Sequence, residues 1–177
     1  MTVVAGSGHR PDKLWIGDYS GYSPLNPLRA WIKSRTRDHL KRLQPIHVIS
    51  GLALGFDQDL ADVCVDMGIP FIAAVPCDGQ DSQWSPEARA RYRKLLKLAY
   101  EVIVVTPGPY ERWKMQARNE WMIDHCSDVV AAFDGSQGGT ANAINYANLL
   151  QRPIHRIDPN ELRRLLAAQP TTTRGIA

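Results

Sequence analysis

Three short stretches of this 177-residue chain set glycines beside groups that bind anions. The fullest is Val130-Ala-Ala-Phe-Asp134-Gly-Ser-Gln-Gly138-Gly139-Thr140-Ala-Asn142. It is an apolar run of strand length, then a glycine-rich turn, then a helix-forming segment. A strand that ends in glycines and feeds a helix aims bare backbone N–H groups at one point, and the helix dipole adds positive potential there. A phosphate is the natural guest. Thr140 stands where an N-cap hydroxyl or a phosphate donor would stand. The bland alternative is a tight turn in which glycine supplies positive φ.

The second stretch, Gly6-Ser7-Gly8-His9-Arg10-Pro11, follows the first apolar segment and reads as a glycine turn. A Rossmann-like fold binds phosphate at this place, and Arg10 is positioned to fork onto it. Only G-x-G is present, so the dinucleotide fingerprint is not met. The third stretch is Ser50-Gly51-Leu-Ala-Leu-Gly55-Phe-Asp57. Asp57 falls at a helix start. It reads either as an N-cap or as a carboxylate that bonds a ribose or a polar base edge. No one turn is decisive. All three follow strands, however, so they can share one crevice, and that convergence argues for a nucleotide-type pocket.

A fourth candidate is Arg118. It has Met115 and Met122 three and four residues away on a helical face otherwise suited to packing. An arginine on a packed face needs an anionic partner. Glu120, two positions on, falls on a different face. Arg118, Glu120 and Asp134 are the candidate catalytic residues. The binding candidates are Gly6, Ser7, Gly8, Arg10, Gly51, Gly55, Asp57, Arg118, Gly138, Gly139 and Thr140.

The elements that must position these residues alternate. Strands are expected near 2–6, 45–50, 70–75, 101–106 and 128–133, with a short edge strand near 153–157. Helices are expected over 27–43, after Gly55 to Met67, 85–99, 110–126, after Gly139, and 158–168. Ser85-Pro86 reads as a cap with proline at the first helical position. Residues 12–27, with Trp15, Tyr19 and Tyr22, read as a loop able to fold over a ligand or simply to anchor a surface. Alternating strands and helices imply an α/β fold: a single Rossmann-like domain over 1–168, an open, mostly parallel sheet with helices on both faces, and a frayed tail over 169–177.

Composition narrows the class. Hydrophobic residues make up 44% of the chain and charged residues 22%, with a formal charge of +3. That balance permits an anionic ligand without demanding nucleic acid. No apolar run approaches membrane-spanning length, and a cytoplasmic location without membrane contact is expected. Cys64, Cys77 and Cys126 are far apart, with no metal-ligand spacing. No cofactor or metal site is evident, although magnesium is compatible with a phosphate ligand.

Taken together, Gly6-Ser-Gly-His-Arg-Pro, Ser50-Gly-Leu-Ala-Leu-Gly-Phe-Asp57, Arg118-Asn-Glu-Trp-Met-Ile-Asp124 and Gly138-Gly139-Thr140 resemble the SLOG superfamily, in particular its YpsA-like branch. The resemblance runs from about residue 2 to residue 157. It implies a Rossmann-like fold, a nucleotide or nucleotide-derived ligand, and homo-oligomers. The same superfamily holds LOG phosphoribohydrolases and DprA-type DNA-processing proteins. Against the phosphoribohydrolase patterns, Met115, Arg118 and Met122 match M-x-x-R-K-x-x-M, with Asn119 in place of lysine. Gly139 and Thr140 match the G-T of the second motif, but its closing glutamate falls on Ala143. An alanine cannot carry a proton. The leading expectation is therefore a nucleotide sensor or binding module. The alternatives are a nucleoside 5′-monophosphate phosphoribohydrolase using Glu120 or Asp134, and single-stranded DNA binding.

Overall fold

Six strands form one all-parallel sheet among the described residues: β1 (Val3–Gly8), β2 (His47–Ser50), β3 (Phe71–Val75), β4 (Glu101–Val104), β5 (Asp128–Ala132) and β6 (Ile154–Ile157). Their spatial order is β4-β3-β2-β1-β5-β6. The chain steps outward from β1 to β4, then returns to lay β5 against the other side of β1. The topology therefore reverses between β1 and β5, and open α/β sheets hold ligands at the carboxyl ends of their strands at such a reversal. The computed structural model describes residues 1–14 and 26–168. Most of the aromatic loop expected over 12–27, with Trp15, Tyr19 and Tyr22, lies outside the described residues, as does the tail 169–177.

The helices are α1 (Pro11–Leu14), α2 (Pro27–Leu43), α3 (Phe56–Met67), α4 (Pro86–Leu98), α5 (Arg112–Asp124), α6 (Gly139–Leu149) and α7 (Pro159–Ala167). Strand side chains alternate between two cores. Val4, Val48, Phe71, Ala73 and Val130 pack with Ile32, Leu60 and Leu95 of α2, α3 and α4. The intervening Ala5, Ile49, Ala74, Val129 and Ala131 pack with Met122, Ile123 and Ala147 of α5 and α6. Both faces are thus covered, which is why the strands read as nearly continuous apolar runs. The edge strand β4 breaks this rule, with Val102 and Val104 exposed.

Helix starts differ in a way that matters for the site. Asn26 Oδ1 accepts from the Arg29 N–H at 3.1 Å, and Ser85 Oγ accepts from the Ala88 N–H at 3.3 Å. Both helices then carry proline in the first turn. By contrast, α3 and α6 begin at Gly55 and Gly138 with no side-chain cap bond. Asp57 and Thr140 are therefore not caps. Both lie one residue inside their helices, in the first turn.

The first glycine stretch is not a turn. Gly6, Ser7 and Gly8 are the last residues of β1, paired with Val130, Ala131 and Ala132 of β5. The chain turns only at His9 and Arg10. Neither glycine has a left-handed φ. Their function is proximity. A Cβ on Gly6 would lie 1.9 Å from Leu60 Cδ2, and one on Gly8 would lie 2.4 Å from Phe56 Cβ. Glycine lets the first turns of α3 lie directly against β1. Gly8→Ala is expected to push the buried Phe56 outward and cost about 1–3 kcal/mol. Urea unfolding checks this, and an unchanged midpoint would refute the packing role.

Candidate functional site

A cavity of about 310 Å³ opens at the reversal between β1 and β5. Its walls come from four places. Ser7, Gly8, His9 and Arg10 end β1; Ala53 and Asp57 flank the start of α3; Met115, Arg118 and Asn119 come from α5; Gly138, Gly139 and Thr140 open α6. Asp12 and Lys13 of α1 complete it. The three sequence stretches do share one crevice. Gly6, Gly51 and Gly55 do not line the cavity but shape it from behind.

The N-terminus of α6 presents uncapped backbone amides to the cavity. Asn142 N–H donates to Gly138 O at 3.0 Å, the first helical bond. The amides before it have no helical acceptor, and no side chain caps them. The Thr140 hydroxyl stands beside them and is 8% exposed. Lys13 Nζ donates to Ser136 Oγ at 2.9 Å and to Gln137 O at 2.8 Å, which fastens the turn and brings a cation to it. Gly135 and Gly138 have φ of 97° and 145°, so here the bland reading of glycine holds as well.

The inner wall is ionic. Arg118 is 3% exposed. Its Nη1 donates to Gly51 O at 2.6 Å and to Ala74 O at 3.4 Å, and its Nε donates to Asn119 Oδ1 at 2.9 Å. Gly51 is glycine because a Cβ there would lie 1.8 Å from Arg118 Nη1. The anionic partner expected for Arg118 is Asp57, its largest opposite charge. Asp57 is 6% exposed, and the backbone N–H groups of Ala53 and Gly8 stabilise its charged form. Burial pushes its carboxyl up to about 6, against the pull of Arg118, Arg10 and the two amides.

Of the candidate catalytic carboxylates, neither lines the cavity. Glu120 accepts from Gln116 Nε2 at 2.8 Å on the outer side of α5. Asp134 is bound by His9 Nε2 at 2.6 Å and by the Ser136 N–H at 2.8 Å. Partial burial raises the Asp134 carboxyl, but the Ser136 backbone and hydroxyl and His9 outweigh that and hold it well below the usual carboxylate range. It is a fixed anion and a poor proton donor. Ala143, where a glutamate would stand in a phosphoribohydrolase, is buried behind Ser7 and Asn119. Lys13, Asp12, Asn119 and Met115 line the cavity without having been sequence candidates. The available signal for Lys13 was Pro11, at the first position of a short helix.

The fold is a doubly wound, Rossmann-like one with a cavity at its topological reversal. The model of the YspA SLOG family matches residues 6–162, and the chain belongs to that family. It is 38% identical over 131 residues to the uncharacterized SPbeta prophage-derived protein YoqJ of Bacillus subtilis (strain 168), an alignment covering 63% of this chain and 76% of YoqJ. Two solved structures share the fold at low identity. DNA processing protein A from Helicobacter pylori, studied for its single-stranded DNA binding mode, aligns with TM-score 0.60 and 18% identity, over 95% of this chain and 74% of that one. The molybdenum cofactor binding protein from Rippkaea orientalis aligns with TM-score 0.55 and 14% identity, over 94% and 84%.

Asp57 gives a signed pH prediction. An unfolded aspartate titrates near ~3.9. The folded protein holds this proton up to about 6. Between those values the native state binds more protons than the unfolded one, so stability falls as pH rises through the window. A shift of about two units corresponds to roughly 3 kcal/mol. Asp57→Asn is expected to raise the Tm relative to wild type at pH 7.5, with a smaller gain at pH 5. A gain independent of pH, or a loss at both, would show that Asp57 does not carry this cost.

Proposed function

We propose that this chain binds a nucleotide or nucleotide-derived ligand, as a sensor or binding module. The observation that carries the reading is convergence: an uncapped helix start, Lys13, Arg10 and the buried Arg118 meet in one cavity at the sheet's reversal. The phosphate lies against the first turn of α6, where amides and dipole favour an anion. Lys13 and Arg10 neutralise it from the mouth. The volume is at the small end of ligand pockets, as suits a mononucleotide better than an extended dinucleotide. That two structures of the same fold are a DNA binder and a cofactor binder supports a ligand-binding use of the fold.

The phosphoribohydrolase alternative finds no support at its own candidate positions. Ala143 carries no proton, Glu120 is outside the cavity, and Asp134 is held ionised. The single-stranded DNA alternative would need a continuous basic track. Of the basic residues away from the cavity, Arg35 reaches Glu161 at 3.6 Å and Arg37 reaches Asp66 at 2.6 Å, which leaves their charge partly compensated.

Calorimetry against AMP, GMP, CMP, IMP and ADP-ribose tests the reading. Saturable binding is expected for at least one. Arg10 is exposed, so Arg10→Ala should fold normally and weaken that binding roughly tenfold or more, the usual worth of a hydrogen bond to a charged group. Absence of binding across the panel overturns the proposal.

A further inference from the structure

Asp57 and Arg118 are both buried, both line the cavity, and converge on one point. A Cβ built on Gly51 would lie 1.8 Å from Arg118 Nη1 and 2.9 Å from Asp57 Oδ2. The two charges feel each other, yet no ion pair within 4.0 Å joins them among the described residues. This is unusual for opposite charges so well buried, since a buried ion is ordinarily neutralised by direct contact. Elsewhere in the protein that is what happens: Arg29 and Arg91 each reach Asp59 at 2.7 Å.

Both groups keep bonding capacity that the protein does not use. Arg118 uses Nη1 and Nε on Gly51 O, Ala74 O and Asn119 Oδ1. Its Nη2 donates to nothing among the described residues. The backbone N–H groups of Ala53 and Gly8 stabilise the Asp57 carboxylate, which can accept about four bonds. Arg118 and Asp57, each with unused bonding capacity, therefore lie together at the cavity wall beside Gly51, with a gap of more than 4.0 Å between their charged groups. A phosphate does not suit that gap, because Asp57 would repel it. The phosphate end of the ligand already has a better place at α6.

We propose that Asp57 and Arg118 select the ligand's non-phosphate end, by reading a neutral group that presents an N–H or O–H donor next to an acceptor. This rests on the nucleotide reading given above. Two parts of a nucleotide carry such a pair: the polar edge of the base (N–H beside C=O in an oxopurine, an amino N–H beside a ring nitrogen in adenine) and the vicinal hydroxyls of ribose. In both, the donor meets Asp57 and the acceptor meets Arg118. A site that bonds both halves of the pair discriminates strongly, because a ligand lacking one half leaves a buried charge without its partner.

The test is calorimetry of wild type and Asp57→Asn against IMP, AMP, their 2′-deoxy forms, and inorganic pyrophosphate. Asparagine keeps the shape and removes the charge. The expected result is a crossover: the variant binds the preferred nucleotide at least tenfold more weakly, while its affinity for pyrophosphate is unchanged or increased. Loss confined to IMP or to AMP assigns the base edge, the oxopurine order of donor and acceptor in the first case and the aminopurine order in the second. Loss of the ribose-over-deoxyribose preference assigns the sugar. If the variant binds nucleotide and pyrophosphate equally well or better than wild type, the proposal is overturned and the phosphate reading stands. Wild type that binds neither pyrophosphate nor any nucleotide removes that reading and the proposal with it. Should Asp57→Asn fail to fold, wild type alone decides: indifference to both the base edge and the 2′-hydroxyl overturns the proposal, and discrimination at either upholds it.

Discussion

The Arg118 guanidinium ties the site to the sheet. It reaches from α5 to carbonyls at Gly51, just beyond β2, and Ala74 in β3. Those carbonyls sit where the sheet's own ladder ends, so a buried donor there satisfies groups that water cannot reach. The contact also fixes α5 against two strands at once, and α5 carries Met115 and Asn119 to the cavity. Everything on the inner wall follows from it: Gly51 must lack a side chain, Asp57 stays close enough to offset the charge, and Asn119 is held in line by the Arg118 Nε.

The acidic start of α3 is divided between two roles. Asp59 is neutralised by Arg29 of α2 and Arg91 of α4, and Asp62 joins the same network through Arg91 at 2.5 Å. These bonds hold the outer face of α3. Asp57, two residues earlier, points instead into the cavity and is left without a contact ion pair. The start of one helix therefore carries both a structural network and a charge that faces the cavity. The difference lies in what packs opposite: helices on one side, a cavity on the other.

What the sequence disclosed and what it hid separate by distance along the chain. Helix α2 begins and ends at Pro27 and Leu43 as its local pattern predicts, and Ser85-Pro86 starts α4. β6 is an edge strand, as its shortness suggested. These signals are local. The reasons for Gly6 and Gly8 are not, because the atoms they avoid belong to Leu60 and Phe56. A glycine needed for close approach and one needed for positive φ look identical in a sequence, so the end of β1 read as a turn. Asp57 near a helix start looked like a cap for the same reason: the cap is Gly55, two residues earlier, whose added Cβ would lie 2.6 Å from His9 O. Lys13 was invisible because its partners, Ser136 and Gln137, lie at the far end of the chain.

Lys13, Arg118 and Asp57 share a property with a thermodynamic consequence. The Lys13 ammonium and the Arg118 guanidinium are each held by two or more hydrogen bonds to the protein itself, and backbone amides stabilise the Asp57 carboxylate. Freezing a long side chain such as lysine or arginine costs up to about 2 kcal/mol in rotamer entropy. Here that entropy is lost when the chain folds, before any ligand arrives. A guest therefore meets groups already oriented, and little of its binding energy is spent on arranging them. On the proposed binding function, selectivity then resides in shape and polarity set during folding rather than in rearrangement on contact.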